Sequence, residues 1–217
     1  MNILRLVAIF LASGLVSLTA QVNPQNLEAL KRAADAGDKE AEYNLGHLYS
    51  IGRGVEKDEA KAAMWFRRAA EQGLPQAQHN LANRLRIGQG VDKDLAEAAK
   101  WFEKAAEQGA ALSQVDLGVA YEHGNGVEQD YFKAVKWYRK AADQGVPEAQ
   151  HNLGLMYAQG TGVRRDKVMA YVWFTISVRN GYDYAEHNRA IISKQLSDEQ
   201  RTRGEAVAEK WLATRAK

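Results

Sequence analysis

Glycine recurs every 36 residues through most of this 217-residue chain, at Gly37, Gly73, Gly109, Gly145 and Gly181. Other columns keep the same period: Leu45, Leu81, Leu117 and Leu153, then the pairs Gly52 and Gly54, Gly88 and Gly90, Gly124 and Gly126, Gly160 and Gly162. Val55, Val91, Val127 and Val163 follow, with Asp58, Asp94, Asp130 and Asp166, and Trp65, Trp101, Trp137 and Trp173. A fixed period of this length marks a repeat architecture, in which each copy buries its apolar face only against its neighbours. The period places four copies at 37–72, 73–108, 109–144 and 145–180.

Each column has a physical task. In the first copy Ala41, Asn44, Leu45, Leu48 and Tyr49 fall at helical spacing and form one face of a first helix, helix A. Gly52 stands where a left-handed residue ends that helix at little steric cost. Gly54 lets the chain reverse, and Val55 plugs the turn into the core. Asp58 is suited to cap a second helix, helix B, by accepting from its free backbone N–H groups. Helix B then places Ala62, Trp65, Phe66 and Ala69 on one face, with alanines permitting close approach and tryptophan filling the space between copies. The tryptophan column is expected in the core.

The ends read as caps. Residues 21–36 are expected to form an N-terminal capping helix, since Ala33, Ala34 and Gly37 match Ala69, Ala70 and Gly73. Residues 181–217 begin as a fifth helix A with Ala185 and Asn188 in register, then depart from the pattern. Ser197 and Gln200 are spaced as a capping box for a last helix, in which Trp211 replaces the repeat tryptophan. Ahead of all this, Arg5, an apolar run from Leu6 to Leu18 and the small residues Thr19 and Ala20 have the form of a secretory signal peptide, residues 1–20. The run is short beside the roughly 20 residues of a membrane span, so no integral span is expected once the signal is removed.

"AEYNLGHLYSIGRGVEKDEAKAAMWFRRAAEQG" at 41–73 and "AQHNLGLMYAQGTGVRRDKVMAYVWF" at 149–174 resemble the Sel-1-like repeat family, a relative of the tetratricopeptide repeat. The resemblance implies an all-α fold, a right-handed superhelical solenoid of α-hairpin repeats with the A helices lining a concave groove. It also implies adaptor or scaffold roles, in the bacterial envelope where a signal peptide is present. Some cysteine-rich secreted relatives are linked to penicillin-type compounds. This chain has no cysteine, so that activity does not carry over.

No catalytic constellation is present. There is no Gly-x-Ser-x-Gly, no His-Glu-x-x-His and no phosphate-binding loop with a lysine. The Gly-x-Gly of each copy is a turn between helices, and the acids Glu56 and Asp58 lack the spacing of a calcium loop. No metal site and no cofactor are expected, and no enzyme. Lysine and arginine total 29 against 27 acids, which argues against nucleic acid, whose phosphates need a concentrated basic surface.

Candidate contact residues come from helix A positions 40, 43, 47 and 50 and their repeats, which the family's fold turns into the groove. They include Tyr43 in the first copy, His79 and Arg86 in the second, and Leu112, Val115, Val119 and Glu122 in the third. The fourth adds His151 and Leu155, and the fifth helix A adds Tyr184 and His187. Val115, Val119 and Leu155 make the middle apolar between polar flanks, a common sign of a protein-binding surface. His79, His151 and His187 share one column, with His151 and His187 expected as neighbours. Two ligands without a third do not make a zinc site. The column Asn44, Asn80, Asp116, Asn152 and Asn188 is expected on a buried face, satisfying backbone groups. The expected function is an exported, periplasmic or secreted scaffold that holds a protein or peptide segment. The alternatives are a cell-wall-related enzyme or small-ligand receptor with a pocket around His151, His187 and Glu148, or a periplasmic regulator of a membrane sensor.

Overall fold

The computed structural model describes residues 24–215. The expected signal peptide, 1–20, lies outside the described residues. Among those described, every regular element is a helix: α1 (Pro24–Asp35), α2 (Lys39–Ile51), α3 (Glu59–Glu71), α4 (Pro75–Ile87), α5 (Leu95–Glu107), α6 (Ala111–His123), α7 (Tyr131–Asp143), α8 (Pro147–Gln159), α9 (Lys167–Arg179), α10 (Tyr184–Ser193) and α11 (Asp198–Arg215). The A helices are α2, α4, α6, α8 and α10. The chain divides into two compact units, one ending at Lys93 and one beginning at Asp94. No described helix is long and apolar enough to cross a membrane.

The local punctuation follows the columns. Gly52 and Gly160 are left-handed and return their N–H groups to the carbonyls of Leu48 and Met156, ending α2 and α8. The carboxylates of Asp58, Asp94, Asp130 and Asp166 accept backbone N–H groups at the starts of α3, α5, α7 and α9. The capping box forms as spaced: Ser197 N–H donates to Gln200 Oε1 at 2.9 Å, and Gln200 N–H donates to Ser197 Oγ at 3.2 Å.

In the first unit, α1 closes the end of the core. Leu27 and Ala34 pack with Ala41, Leu45 and Trp65. Glu42 is buried beside them and fully matched, by Arg68 Nε at 2.8 Å and by Gln72 Nε2 at 2.7 Å. Arg84, also buried, donates to Glu59 Oε2 at 2.7 Å.

In the second unit, α10 and α11 cover the far end. Ala170, Tyr171, Phe174, Ala185, Ile192 and Leu196 form one cluster, and Trp211 meets the edge of Trp173 at 5.6 Å between ring centroids. The repeat tryptophans are buried throughout. Lys104 and Lys140 lie over the rings of Trp101 and Trp137, at 3.9 and 4.0 Å from the centroids.

A glutamine column also stitches the hairpins. Gln114 and Gln150, both buried, donate to the carbonyls of Ala106 and Ala142 at 3.1 and 3.2 Å. Their Oε1 atoms accept from Gln144 at 2.8 Å and from Asn180 at 2.9 Å. Gln78 makes the matching bond to Ala70 O in the first unit. The second glycine of the later loops, Gly90, Gly126 and Gly162, is a contact point. A methyl at Gly126 would lie 1.9 Å from Leu95 O, and one at Gly90 would lie 2.0 Å from Glu59 O.

Candidate functional site

The candidate residues lie on the A helices of both units, and each unit presents its own set. In the first, the half-buried Tyr43 leans on Phe66, with centroids 5.7 Å apart. On α4, Arg86 Nη2 and Nε both donate to Asn83 Oδ1, at 2.8 and 3.3 Å. That leaves the Asn83 amide to face His79 Nε2 at 3.0 Å. The ring nitrogen must then accept, so His79 is neutral. Burial, and secondarily the charge of Arg86, holds its pKa below the ordinary histidine value.

In the second unit Leu112 is 59% exposed and Tyr184 79% exposed. His187 is exposed, and Val119 and Glu122 are half-buried. Two expectations fail here. Val115 is 4% exposed: a short β-branched side chain stays within the helix contact at the position from which Tyr43 reaches outward. Leu155 is half-buried and packs on the cluster around Phe174, so it supports the core. The expected apolar middle is therefore largely consumed by packing, and the large apolar groups exposed on the A helices of this unit are Leu112, Tyr184 and Ile191, the last 44% exposed.

His151 does not pair with His187. Asn188 Nδ2 lies 2.9 Å from its Nε2, and burial lowers its pKa. The asparagine column is not on a buried face, for Asn44 is exposed and Asn80, Asn152 and Asn188 are half-buried. The column sits one residue from the buried leucine column, a rotation of about 100° around the helix.

Tyr182, which falls outside the repeated helix-A positions, completes an aromatic series. Its ring centroid is 5.4 Å from His151 and 5.4 Å from Tyr184, and His151 is 5.6 Å from Phe174. Beside this series the buried Tyr138 donates to Glu122 Oε2 at 2.6 Å. Burial, then that hydrogen bond and the charges of Glu122 and Glu148, raise its pKa. Burial, followed by the charges of Glu148 and Tyr184, also raises the pKa of Tyr182. Among the described residues no group of three His, Asp or Glu side chains is placed to hold a metal ion. An open depression of about 890 Å³ lies elsewhere in this unit, bordered by Arg164, Arg165, Lys167 and Gln195, and neither His151, His187 nor Glu148 lines it.

A family model described as Sel1 repeat matches residues 39–74, 75–109, 111–146 and 147–182, the expected period in a frame shifted by about two residues. Among solved structures, the chain is similar to c5321, a protective antigen present in uropathogenic Escherichia coli strains displaying an SLR fold. Identity is 36% and the TM-score 0.81, over 90% of this chain and 42% of that one, so the chain spans less than half of that antigen's length. A Sel1 repeat protein from Oxalobacter formigenes is 33% identical with a TM-score of 0.75, over 87% of this chain and 74% of that one. The immunity protein PA5088 from Pseudomonas aeruginosa is 19% identical with a TM-score of 0.53, over 98% of this chain and 83% of that one, and shows the fold alone. No curated protein matches.

Proposed function

Because the chain belongs to the Sel1 repeat family, whose repeats generally serve as protein-interaction scaffolds, we propose that it is an exported scaffold that holds a protein or peptide segment against the outward faces of its A helices. The observation that carries this is the exposure of Leu112, Tyr184 and Ile191, at 59%, 79% and 44%, from repeat positions that do not face the core. Large apolar groups left in water beside polar neighbours favour a protein partner. The signal-like segment, 1–20, supports export to the periplasm or beyond. The neutral His151, bonded to an asparagine and backed by aromatic rings, is suited to contact rather than to proton transfer.

The test uses the full chain as bait in envelope extract from its host. A Leu112→Asp/Tyr184→Asp bait is expected to lose the captured partner while keeping its helicity and melting temperature, because both side chains are exposed. Lys136→Asp, on the exposed side of α7, is expected to retain the partner. Capture of the same partner by the double variant would overturn the assignment of the binding face.

A further inference from the structure

We propose that the second unit recognises one arginine side chain of its partner, seated on Tyr184 and Tyr182 beside the carboxylate of Glu148; this rests on the peptide-binding function proposed above. Tyr184 opens α10 with 79% of its surface in water. Among the described residues its ring contact is with Tyr182, at 5.4 Å and a tilt of 51°. Tyr182 is fixed in turn by His151, at 5.4 Å, and His151 is held by Asn188 and Phe174. The tyrosines are thus a braced pair with an open outer face, rather than two loose side chains.

The charges that act on Tyr182 are of one sign. Glu148 precedes His151 by one helical turn, so both side chains lie on the same side of α8. Its charge acts on Tyr182, Tyr138 and His151, yet among the described residues it makes no hydrogen bond or ion pair. Asp183, between the tyrosines in sequence, is exposed and caps no N–H group. The cation on the same helix as Tyr184, Arg189, is paired with Glu186 at 3.0 Å. His151 is neutral at pH 7 and contributes no positive charge.

The exposed face of Tyr184, backed by the half-buried Tyr182 and beside a carboxylate without a partner among the described residues, matches a guanidinium in particular. Its plane stacks on an aromatic face while its edge donates two parallel hydrogen bonds to a carboxylate. An ammonium can do the first less well and cannot do the second. The surface therefore commits to a peptide with an arginine at one register, flanked by apolar residues that meet Ile191 and Leu112.

The probe is a displayed library of random twelve-residue peptides, panned on the full chain. Selected peptides are then measured singly by fluorescence anisotropy. Arginine is expected to be enriched at one position, and its replacement by citrulline to weaken binding about tenfold, with lysine intermediate. Glu148→Gln and Tyr184→Ala, both at exposed positions, are expected to produce similar losses and to abolish the preference for arginine over citrulline. If peptides are selected without arginine, or if neither variant alters the preference, the arginine seat is overturned while the scaffold function stands. If no peptide is selected at all, the scaffold function itself fails.

Discussion

Two neutral histidines take part in the polar contacts of the A helices, and each is a point of acid sensitivity. Burial is the main cause that lowers the pKa of His79 and of His151 from the ordinary value of 6.5. Between the lowered folded value and 6.5, the unfolded chain binds more protons than the folded one, so stability rises with pH across that window. The contribution is complete above about pH 6.5 and is lost as pH falls through the folded values. Asp58 and Glu59, whose pKa values are lowered mainly by hydrogen bonds from Lys61 and Arg84, act in a separate window below 3.8 and 4.5. Melting temperature is therefore expected to fall between about pH 7.5 and 5. A His79→Gln/His151→Gln double variant, keeping an acceptor but no titrating ring, is expected to fall less. Equal falls in both proteins would show that the rings are not the source.

At the scale of the element, the loops between helices carry two kinds of glycine with different duties. Gly145 has φ +86, and an added methyl would meet nothing within 4 Å; Gly126 has φ +77, and the methyl would strike Leu95 O. Gly145→Ala should then be destabilising by about 1–2 kcal/mol, the left-handed backbone penalty alone. Gly126→Ala adds displacement of a packed backbone, for a loss on the order of 3 kcal/mol or more. Urea melts of the two variants measure the difference, and equal losses would show that the loop yields freely. Both glycine columns, the aspartate caps and the tryptophans were legible in the sequence because their tasks are local or repeat without change. The glutamine column was not. Its bonds join residues 30 apart, as Gln114 to Gln144, and the partners vary to Glu42 and Asn180, so it looks like ordinary polar surface. The family resemblance implied that Val115 and Leu155 line an open groove, but side-chain reach decides exposure there. Tyr182 lies outside the repeat positions from which candidates were drawn, although the spacing Tyr182-x-Tyr184 was its one visible signal.

At the scale of the whole molecule, a chain of such copies needs only to reach its place and to be closed at its ends. Cleavage after Ala20 would leave Gln21 first, just ahead of α1, whose Leu27 and Ala34 close the core. N-terminal sequencing of the protein from its native host is expected to begin near Gln21; an intact Met1 in a soluble cytoplasmic fraction would overturn export. The contact at Gly126 has a consequence beyond stability. There the incoming loop meets a main-chain carbonyl, Leu95 O, and the equivalent Gly162 meets Tyr131 O. Leucine and tyrosine serve equally because the nearest atoms are main-chain O and C, with nothing of either side chain beyond Cβ among them. A joint made this way does not inspect the identity of its neighbour, so a copy gained or lost by unequal recombination still fits the next. Lineages of such genes can change the length of the array in single steps, while the outward residues that choose a partner diverge one copy at a time.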